Sequence, residues 1–467
     1  MIQSKNKKNG FLVILVLVFG AIFFVMLSAF MNFVIGQKVL QRIKLNEERS
    51  LAIAEAGLNY YKWYLAHNPN DITNGTTDPQ PYVIEYEDPE NGPIGAYSLE
   101  ISGNSACGDI VSVDIKSKGY TYADTERPRV LYARYARPTV SEYAYIINSN
   151  VWAGDDRTIV GPYHSNGGIR MDGANNSIVS SGVETWSCTS SFGCDWNQTV
   201  DGVFGSGPNS DLWSYPSPPI NFVGITLDLA NMQAKAAAVN RHFGPSGDYG
   251  YLVEFLNNDT FNLSRVTGTK SYSGYTTEYG WQTERNVITN TAFVGNYSVP
   301  NDCALIYIED KVWAEGVVST RTTLAAADVD TIGVDPSIIL NGSITYSGED
   351  AGLLLIAEED VLVGVDVPDN MELYGIFIAQ NGRFGRNHYE SSLPSSLDAY
   401  RYRSSLTMHG TIVSNGRVGT KWTSGNTWTS GFETRYNSYD RDLVNDPPPL
   451  TPEVSDTYKF IEWREGG

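Results

Sequence analysis

The chain has few basic residues for its length. Of its 467 residues, 33 are Lys or Arg and 53 are Asp or Glu, which leaves a formal net charge of −20. A protein that binds nucleic acid neutralises phosphates with a basic surface, so this composition argues against a nucleic-acid partner. Only 18% of the residues are charged and 42% are hydrophobic, a balance typical of folded domains and not of disordered chains.

Motifs of common catalytic and metal sites are missing as well. The sequence has no Gly-x-Ser-x-Gly elbow, phosphate-binding loop, EF-hand loop or Cys-x-x-Cys pair. The acidic groups Asp155-Asp156, 358–360 and Asp328-x-Asp330 have the chemistry of Ca²⁺ ligands or of a glycosidase pair. With 53 acidic residues in the chain, such groups also arise as solvated turns. We therefore assign no catalytic residue, cofactor or metal site.

One long uncharged segment is present near the N-terminus. Residues 11–35 read FLVILVLVFGAIFFVMLSAFMNFVI. A helix of this length spans roughly 37 Å at about 1.5 Å per residue, enough to cross a bilayer. Lys5, Lys7 and Lys8 precede the segment, so the positive-inside rule predicts a cytoplasmic N-terminus and a body outside the cytoplasm. A cleaved secretory signal is the competing interpretation, but the segment is longer than a signal and no Ala-x-Ala site follows it.

The helical pattern continues beyond the predicted membrane span. An apolar stripe recurs at spacings of three and four residues, formed by Leu51, Ala54, Leu58, Tyr61 and Leu65. No proline interrupts residues 37–65, and Pro69 follows in an Asn- and Asp-rich stretch. We predict one continuous helix over residues 11–67, with 11–35 in the membrane.

Two short motifs resemble those of type IV prepilins. Lys7-Lys8-Asn9-Gly10 followed by Phe11 is similar to a prepilin leader, here residues 1–10. The Ala-Glu-Ala-Gly-Leu sequence at 54–58 resembles the signature of PilX-type minor pilins. The resemblance implies that a prepilin peptidase cleaves after Gly10 and that Phe11 becomes a methylated N-terminus. It also implies assembly with other pilins or pseudopilins through the helix.

The resemblance singles out four helix residues as assembly candidates: Leu15, Glu55, Gly57 and Leu58. Major pilins usually carry a Glu five residues into the mature chain, where this chain has Leu15. A carboxylate in hydrocarbon is costly, so leucine removes both a cost and a partner, which favours a minor subunit of a tip or initiation complex. For Glu55 two interpretations stay open, a solvated carboxylate or a contact with a partner helix. The resemblance extends only over residues 5–65.

The rest of the chain is predicted to be mainly β. Alternating apolar and polar residues at 82–86, 96–101, 110–115 and 129–135 predict four strands. With the preceding helix over one sheet face, they predict a small α+β head over residues 68–137.

Residues 138–467 predict a parallel β-helix with insertions. Similar strand–turn–strand segments recur at 163–169, 305–312, 353–361, 375–385 and 409–419. Ile356 and Ile378 lie 22 residues apart, close to one rung, and stacked rungs bury a continuous core. An antiparallel sandwich with Asn-Gly hairpins is the alternative. We expect a helical insertion at 227–241 and a C-terminal segment, 447–465, that caps this domain.

Cysteines and tryptophans supply the remaining candidates. Four cysteines in an exported chain predict disulfides: Cys188 with Cys194 across a short loop, which leaves Cys107 and Cys303 for a second bond. Aromatic rings in the polar loops 183–215 and 420–440 predict either a contact surface or packing of these loops on the domain. The candidate residues are Trp186, Trp196, Trp213, Trp422 and Trp428.

These features predict a cell-surface minor pilin or pseudopilin-like subunit without enzymatic activity. It would be anchored in membrane lipid and present its β-rich domain for adhesion or structure, with surface polysaccharide or a receptor on a host or neighbouring cell as partner. The alternative is a membrane-tethered β-helix protein that binds or cleaves polysaccharide, as a lyase or a glycosidase does. Several carboxylates in one groove beside a basic residue would favour the enzyme, and a groove without them would favour adhesion.

Replacing Gly10 by valine should block removal of the leader, because the resemblance places the cut directly after this glycine. The uncut chain keeps its leader and should migrate more slowly on a gel than the processed wild type. Gly20→Val, the same change inside the apolar segment, is the control and should be processed normally. Equal migration of Gly10→Val and the wild type would contradict the prediction.

Overall fold

The computed structural model describes residues 9–69, 71–90, 92–301, 303–328, 334–425, 427–455 and 457–466, with the backbone alone for 9, 10 and 223–228. Lys5, Lys7 and Lys8 of the predicted leader therefore lie outside the described residues. The chain divides into two compact units. Described residues up to 104, with 112–136 and 458–466, form the first unit, and 105–111 with 137–457 form the second.

The elements follow in chain order. The first are α1 (Asn9–His67), β1 (Tyr82–Asp88), β2 (Gly92–Ala106), β3 (Asp109–Thr121) and β4 (Asp124–Ala136). Next come β5 (Tyr145–Ile147), β6 (Val151–Ala153), β7 (Thr158–Val160), β8 (Tyr163–Ser165), β9 (Ile169–Met171), β10 (Ala174–Asn175), β11 (Val179–Ser181), β12 (Thr185–Cys188), β13 (Gln198–Asp201), β14 (Val203–Phe204) and β15 (Trp213–Ser214). After them come α2 (Phe222–Ala238), β16 (His242–Phe243), β17 (Tyr251–Leu256), β18 (Thr260–Thr276), β19 (Gly280–Ser298), β20 (Leu305–Ile308), β21 (Val312–Val318), β22 (Arg321–Ala326) and β23 (Ile338–Tyr346). The last are β24 (Gly352–Ala357), β25 (Val361–Val363), β26 (Asn370–Ala379), β27 (Phe384–Gly385), α3 (Ser395–Asp398), β28 (Tyr402–Ser414), β29 (Lys421–Ser424), β30 (Thr427–Ser438), α4 (Arg441–Asn445) and β31 (Lys459–Gly466).

The first unit is an antiparallel sheet with α1 packed on one face. Its strand order is β1-β2-β3-β4-β31, so the four predicted strands are confirmed. The predicted helix is also continuous, and its apolar stripe is buried in the second half, where Ala54, Leu58, Tyr61 and Leu65 are at most 1% exposed. The Tyr135 hydroxyl donates to the Leu58 carbonyl at 2.8 Å, which links the sheet to the helix backbone.

Two glycines permit the close approach of α1 to the sheet. A Cβ at Gly119 on β3 would lie 2.3 Å from the Ser50 carbonyl oxygen. A Cβ at Gly57 on α1 would lie 2.4 Å from the Ser117 hydroxyl and 2.8 Å from the Tyr97 ring. All three distances are shorter than atoms tolerate, so this interface needs residues without side chains.

The C-terminal segment differs from its prediction. We expected it to cap the large domain, but β31 pairs antiparallel with β4 in the first unit, with Phe460 opposite Tyr135. Their ring centroids are 4.2 Å apart. An unpaired sheet edge presents free N–H and C=O groups, and β31 satisfies those of β4. The predicted domain of residues 138–467 therefore ends at 457 in the structure and gains 105–111 from the β2–β3 hairpin.

The second unit is a stack of parallel strands, as the β-helix prediction requires and the sandwich alternative does not. One face runs β16-β20-β22-β24-β26-β28-β5-β8-β11-β15. Others run β17-β21-β23-β25-β27, β28-β30-β7-β10 and β6-β9-β14. Ile356 pairs directly with Ile378, so the spacing of 22 residues is one rung.

The rungs do not stack in chain order. The segment that begins at β5 continues the stack after β28, through the pairs Tyr145 with Ile412 and Ile147 with Ser414. The chain thus builds one end of the stack first, passes through α2, and then builds the other end until β28 meets β5. Helix α2 confirms the predicted helical insertion. Its residues Leu229, Met232 and Ala236 pack on the outside of the strand faces.

Side-chain ladders mark where equivalent positions of successive rungs meet. Asn148 donates to the Asn415 side chain at 2.7 Å, and Asn166 donates to the Asn148 side chain at 2.7 Å. Asn415 in turn donates to the Asn381 carbonyl at 2.8 Å. The Asn-Gly and Asn-containing turns of the sequence repeats therefore form one ladder along the stack, with bonds that satisfy the turn amides.

Replacing Gly57 by alanine should destabilise the first unit by about 1–3 kcal/mol, because an added methyl overpacks the interface of α1 with Ser117 and Tyr97. Gly36→Ala, in the same helix with no atom within 4 Å of its Cβ, should cause no loss. Hydrogen exchange of the β2 and β3 amides in the full chain measures this unit separately. Equal protection in both variants would show that the close approach has no energetic role.

Candidate functional site

The first half of α1 is apolar and uncovered. Over residues 11–35 all the large hydrophobic side chains except Val34 are exposed, from 73% for Phe11 to 43% for Leu15 and Leu27. By length and composition, the helix over Phe11–His67 is able to cross a membrane. Asn9 and Gly10 lie within α1, and leader residues 1–8 lie outside the described part of the chain, so cleavage after Gly10 stays a prediction.

The Ala-Glu-Ala-Gly-Leu motif packs α1 against the sheet of the first unit. Ala54, Gly57 and Leu58 are buried against the sheet, with Ala54 O accepting a bond from Ser117 at 2.8 Å. Glu55 is exposed. The motif therefore explains how helix and sheet pack, and the two interpretations of Glu55 stay open.

Both cysteine pairs form disulfide bonds. Cys188 is bonded to Cys194, and Cys107 is bonded to Cys303, the pairing that the sequence favoured. Cys107 lies at the tip of the β2–β3 hairpin, and the second bond joins it across 196 residues of sequence. A bond that closes so long a loop restricts the unfolded chain strongly.

The five predicted tryptophans do not form one surface. Trp186 is only 7% exposed and packs around the Cys188–Cys194 bond, which corrects its assignment to a contact surface. Trp213 packs partly against the β-helix core, and Trp428 lies edge-on to Tyr402 at 4.9 Å. Trp196 is 68% exposed. Packing on the domain thus explains three of these rings, and the structure places them in strands β12, β15 and β30 and not in the predicted loops.

Trp422 instead belongs to a cluster that the sequence analysis did not identify. This aromatic cluster consists of Tyr275, Trp281, His388 and Trp422, with ring centroids 5.5–6.4 Å apart. Trp281 is 47% exposed, and the indole of Trp422 donates to the Arg386 carbonyl at 2.8 Å. Rings held in this way, with one face in water, are able to stack on a sugar ring or a protein side chain.

A buried polar network holds the β18–β19 hairpin, which supplies two of these rings. The Glu284 carboxylate accepts from Asn387 at 2.6 Å and from the Tyr389 hydroxyl at 3.1 Å. Tyr275 and His388 add two backbone hydrogen bonds of 2.9 Å each. Burial raises the pKa of Glu284, although these hydrogen bonds act in the opposite direction. The signal available in the sequence was the long alternating pattern of residues 260–298, which predicts an extended hairpin.

Histidines and carboxylates of the repeats mainly have structural partners. His164 contacts Ser180 and Asn166 at 2.9 Å each, and the Ser165 hydroxyl donates to the Ser149 carbonyl, so Ser165 is not paired with the neighbouring His164. Glu358 and Asp360 accept bonds from the Asp328 and Arg383 backbone amides at 2.8 and 2.7 Å. Asp330 lies outside the described residues. Among those described, no group of three His, Cys, Asp or Glu is placed to hold a metal ion.

Comparisons with known proteins include a structural match of low similarity. No protein-family model matches the chain, and no curated protein matches it. The crystal structure of the competence-associated pilin ComZ from Thermus thermophilus aligns with 90% of this chain and 97% of its own, at 13% sequence identity and a TM-score of 0.26. A likeness at this level supports no conclusion about fold or function.

The raised pKa of Glu284 gives a pH-dependent stability. The folded chain binds this proton more tightly than the unfolded chain, so the stability contribution is present below the unfolded pKa of about 4.3 and is lost as pH rises through the higher folded value. Glu284→Gln, which carries no charge, should lose less stability than the wild type as the pH rises above about 4.3 in urea unfolding. Glu254→Gln on β17 is the control and should follow the wild type; identical slopes for all three proteins would refute the assignment.

Proposed function

We propose that this protein is a minor pilin-like subunit of a type IV pilus-like filament, or of its initiation or tip complex, and that it presents its β-helix outside the cell. The observation that carries the proposal is the division of α1. Its second half is seated on an antiparallel sheet of the same chain, whereas its first half is apolar and uncovered.

An uncovered apolar helix needs a second environment. Full burial of a Val, Leu, Ile or Phe side chain is worth roughly 1.5–3 kcal/mol, and residues 11–35 expose many of them. Lipid satisfies this demand in the membrane, and neighbouring helices of the same kind satisfy it in a filament. A simple membrane anchor would need the first environment only. The leader-like sequence before Phe11 supports the second, because cleavage there would give the helix a free N-terminus.

Features of the second unit support a role as a displayed module. Its parallel stack and Cys107–Cys303 bond make it rigid, and disulfides form in oxidising environments outside the cytoplasm. The aromatic cluster offers a surface for adhesion to a saccharide or a receptor. In this role Trp281 is the ring most accessible to a partner.

A membrane-tethered enzyme that cleaves polysaccharide is the second candidate, and one observation favours it. Burial raises the pKa of Glu359, and the nearby carboxylates of Asp360, Glu358 and Asp335 raise it further. Lys311 lies 2.7 Å from Asp335. Carboxylates near a cation are the groups that glycosidases and lyases use. Release of reducing ends from a polysaccharide by the purified wild type, lost in Glu359→Gln and kept in Glu349→Gln, would replace our proposal with this one.

Replacing Val25 by lysine should remove the protein from both membranes and surface filaments. A lysine at the centre of a membrane helix costs about 2.5–3.5 kcal/mol on insertion scales, and Val25 is central and 69% exposed. Val39→Lys makes the same change on the same helix outside the predicted span, at a residue 49% exposed, and should leave both locations unchanged.

The measurement is the amount of protein in membranes and in sheared filaments of the cells that produce it. Wild type and Val39→Lys should appear in both fractions. Wild type in membranes but never in filaments, in cells that assemble them, would overturn the filament role and leave the anchor. Val25→Lys present in both fractions would show that this part of the helix is not what holds the protein there.

A further inference from the structure

The interior of the β-helix changes character at β30. Along one inward-facing column, Met371 of β26 pairs with Leu406 of β28, and Leu406 pairs with Arg435 of β30. Met371 and Leu406 are buried apolar side chains, so Arg435 takes a position that the preceding rungs fill with hydrocarbon. On the next rung, Asn437 pairs with Ile159, which places Arg157 at the same level as Arg435. Two arginines therefore succeed two apolar residues in one column.

Four basic side chains gather here, and we name them the cationic cluster: Arg157, Arg417, Lys421 and Arg435. A single carboxylate, Asp156, pairs with two of them. Arg435 donates to its two oxygens at 2.8 and 2.6 Å, and Lys421 donates at 2.8 Å. Arg157 donates to the Tyr145 hydroxyl at 2.7 Å and to Asn437, both neutral groups. Neither Arg157 nor Arg417 forms an ion pair within the part of the chain that the structure describes.

Arg417 has the least compensation of the four. Its guanidinium lies 4.5 Å from the centre of the Phe192 ring and donates no hydrogen bond to any described residue. The charges of Arg417 and Arg157 both act to lower the pKa of the buried Tyr163 hydroxyl, so both guanidinium groups lie in the neighbourhood of that hydroxyl. Burial lowers the pKa of the Arg417 guanidinium. This arginine therefore extends the cluster without a negative partner.

The cluster holds more positive charge than its surroundings balance. The side chains of Arg435 and Lys421 are only 12% and 17% exposed. Burial, together with the charge of Arg157, lowers the pKa of Arg435 to about 10. The Nε atoms of Arg157 and Arg435 are buried with no hydrogen-bond partner among the described residues. Removing a cation from water without a negative partner costs free energy. The chain has a net charge of −20, so it contains more than enough acidic residues to supply such partners.

We propose that the cationic cluster binds an oxyanion of an external ligand, a carboxylate, sulfate or phosphate group. The planar fork of an arginine matches two oxygens of such a group, and Arg417 has its fork unoccupied. The site is reachable, because the side chain of Asp156 at its edge is 37% exposed. The ligand supplies the negative charge that Asp156 alone does not. The proposal extends the display role of the second unit and does not depend on incorporation into a filament.

The test is a titration of the purified full-length protein, in a non-ionic detergent at low ionic strength, with inorganic phosphate, sulfate and glucuronate in separate experiments. Calorimetry should detect binding of at least one of them, and the preferred anion identifies the chemistry of the natural group. Arg417→Gln should weaken that binding about tenfold or more. Arg265→Gln is the matched control, since Arg265 pairs with Asp248 at 2.9 Å at the surface, and it should bind as the wild type does.

A second variant moves affinity in the opposite direction. Asp156→Asn removes the carboxylate that competes with the ligand, so it should bind the same anion more tightly than the wild type. Its unfolding temperature should also rise more steeply with anion concentration. In this variant the bound anion, and no longer Asp156, balances the positive charges of Lys421 and Arg435. If none of the three anions binds, if Arg417→Gln and Arg265→Gln bind equally, or if Asp156→Asn binds more weakly, the proposal is wrong. These titrations do not test the filament role, which the fractionation of membranes and filaments tests separately.

Discussion

The second unit depends on the parallel pairings of β28 with β5 and of β30 with β7. Without these pairings, the rungs from β5 to β15 and the rungs from β16 to β30 would be two separate stacks, each with an open edge. The pairs Tyr145 with Ile412 and Asn437 with Ile159 join them into one core. These partners are far apart in the chain. Closing the loop between them costs conformational entropy before the contact contributes any stability. Rungs that stack in chain order avoid this cost.

Some features of the fold could be predicted from the sequence because they depend on residues that are close together in the chain. The long helix follows from an apolar stripe without proline, and the rung length follows from the distance between Ile356 and Ile378. The order of the rungs was not readable, since Tyr145 meets Ile412 through backbone bonds that any apolar pair can make. The position of β31 was missed for the same reason. Its pairing with the edge of β4 rests on main-chain groups, and its side chains are mostly exposed.

The candidate sites show the same limit. Trp422 was found from its type, but its neighbours Tyr275 and Trp281 come from a hairpin that only the folded chain brings to it. Conversely, the sequence suggested Trp186 as a surface residue, whereas in the structure it is buried against the Cys188–Cys194 disulfide. Asp156 was considered as a calcium ligand, and its oxygens instead face Lys421 and Arg435. Residue type gave the chemistry in each case, and only long-range packing decides whether that chemistry is available.

The path of the chain between the two units has a mechanical consequence. The backbone passes from one unit to the other at four places, two in the β2–β3 hairpin, one after β4 and one before β31. Within the second unit, Thr139 pairs with Glu453 near the two ends, and Cys107 at the hairpin tip is bonded to Cys303. A tensile force that pulls the second unit away from α1 is therefore divided among covalent connections in parallel, and no single linker bears it. The covalent chain therefore joins the two units at four points and not at one.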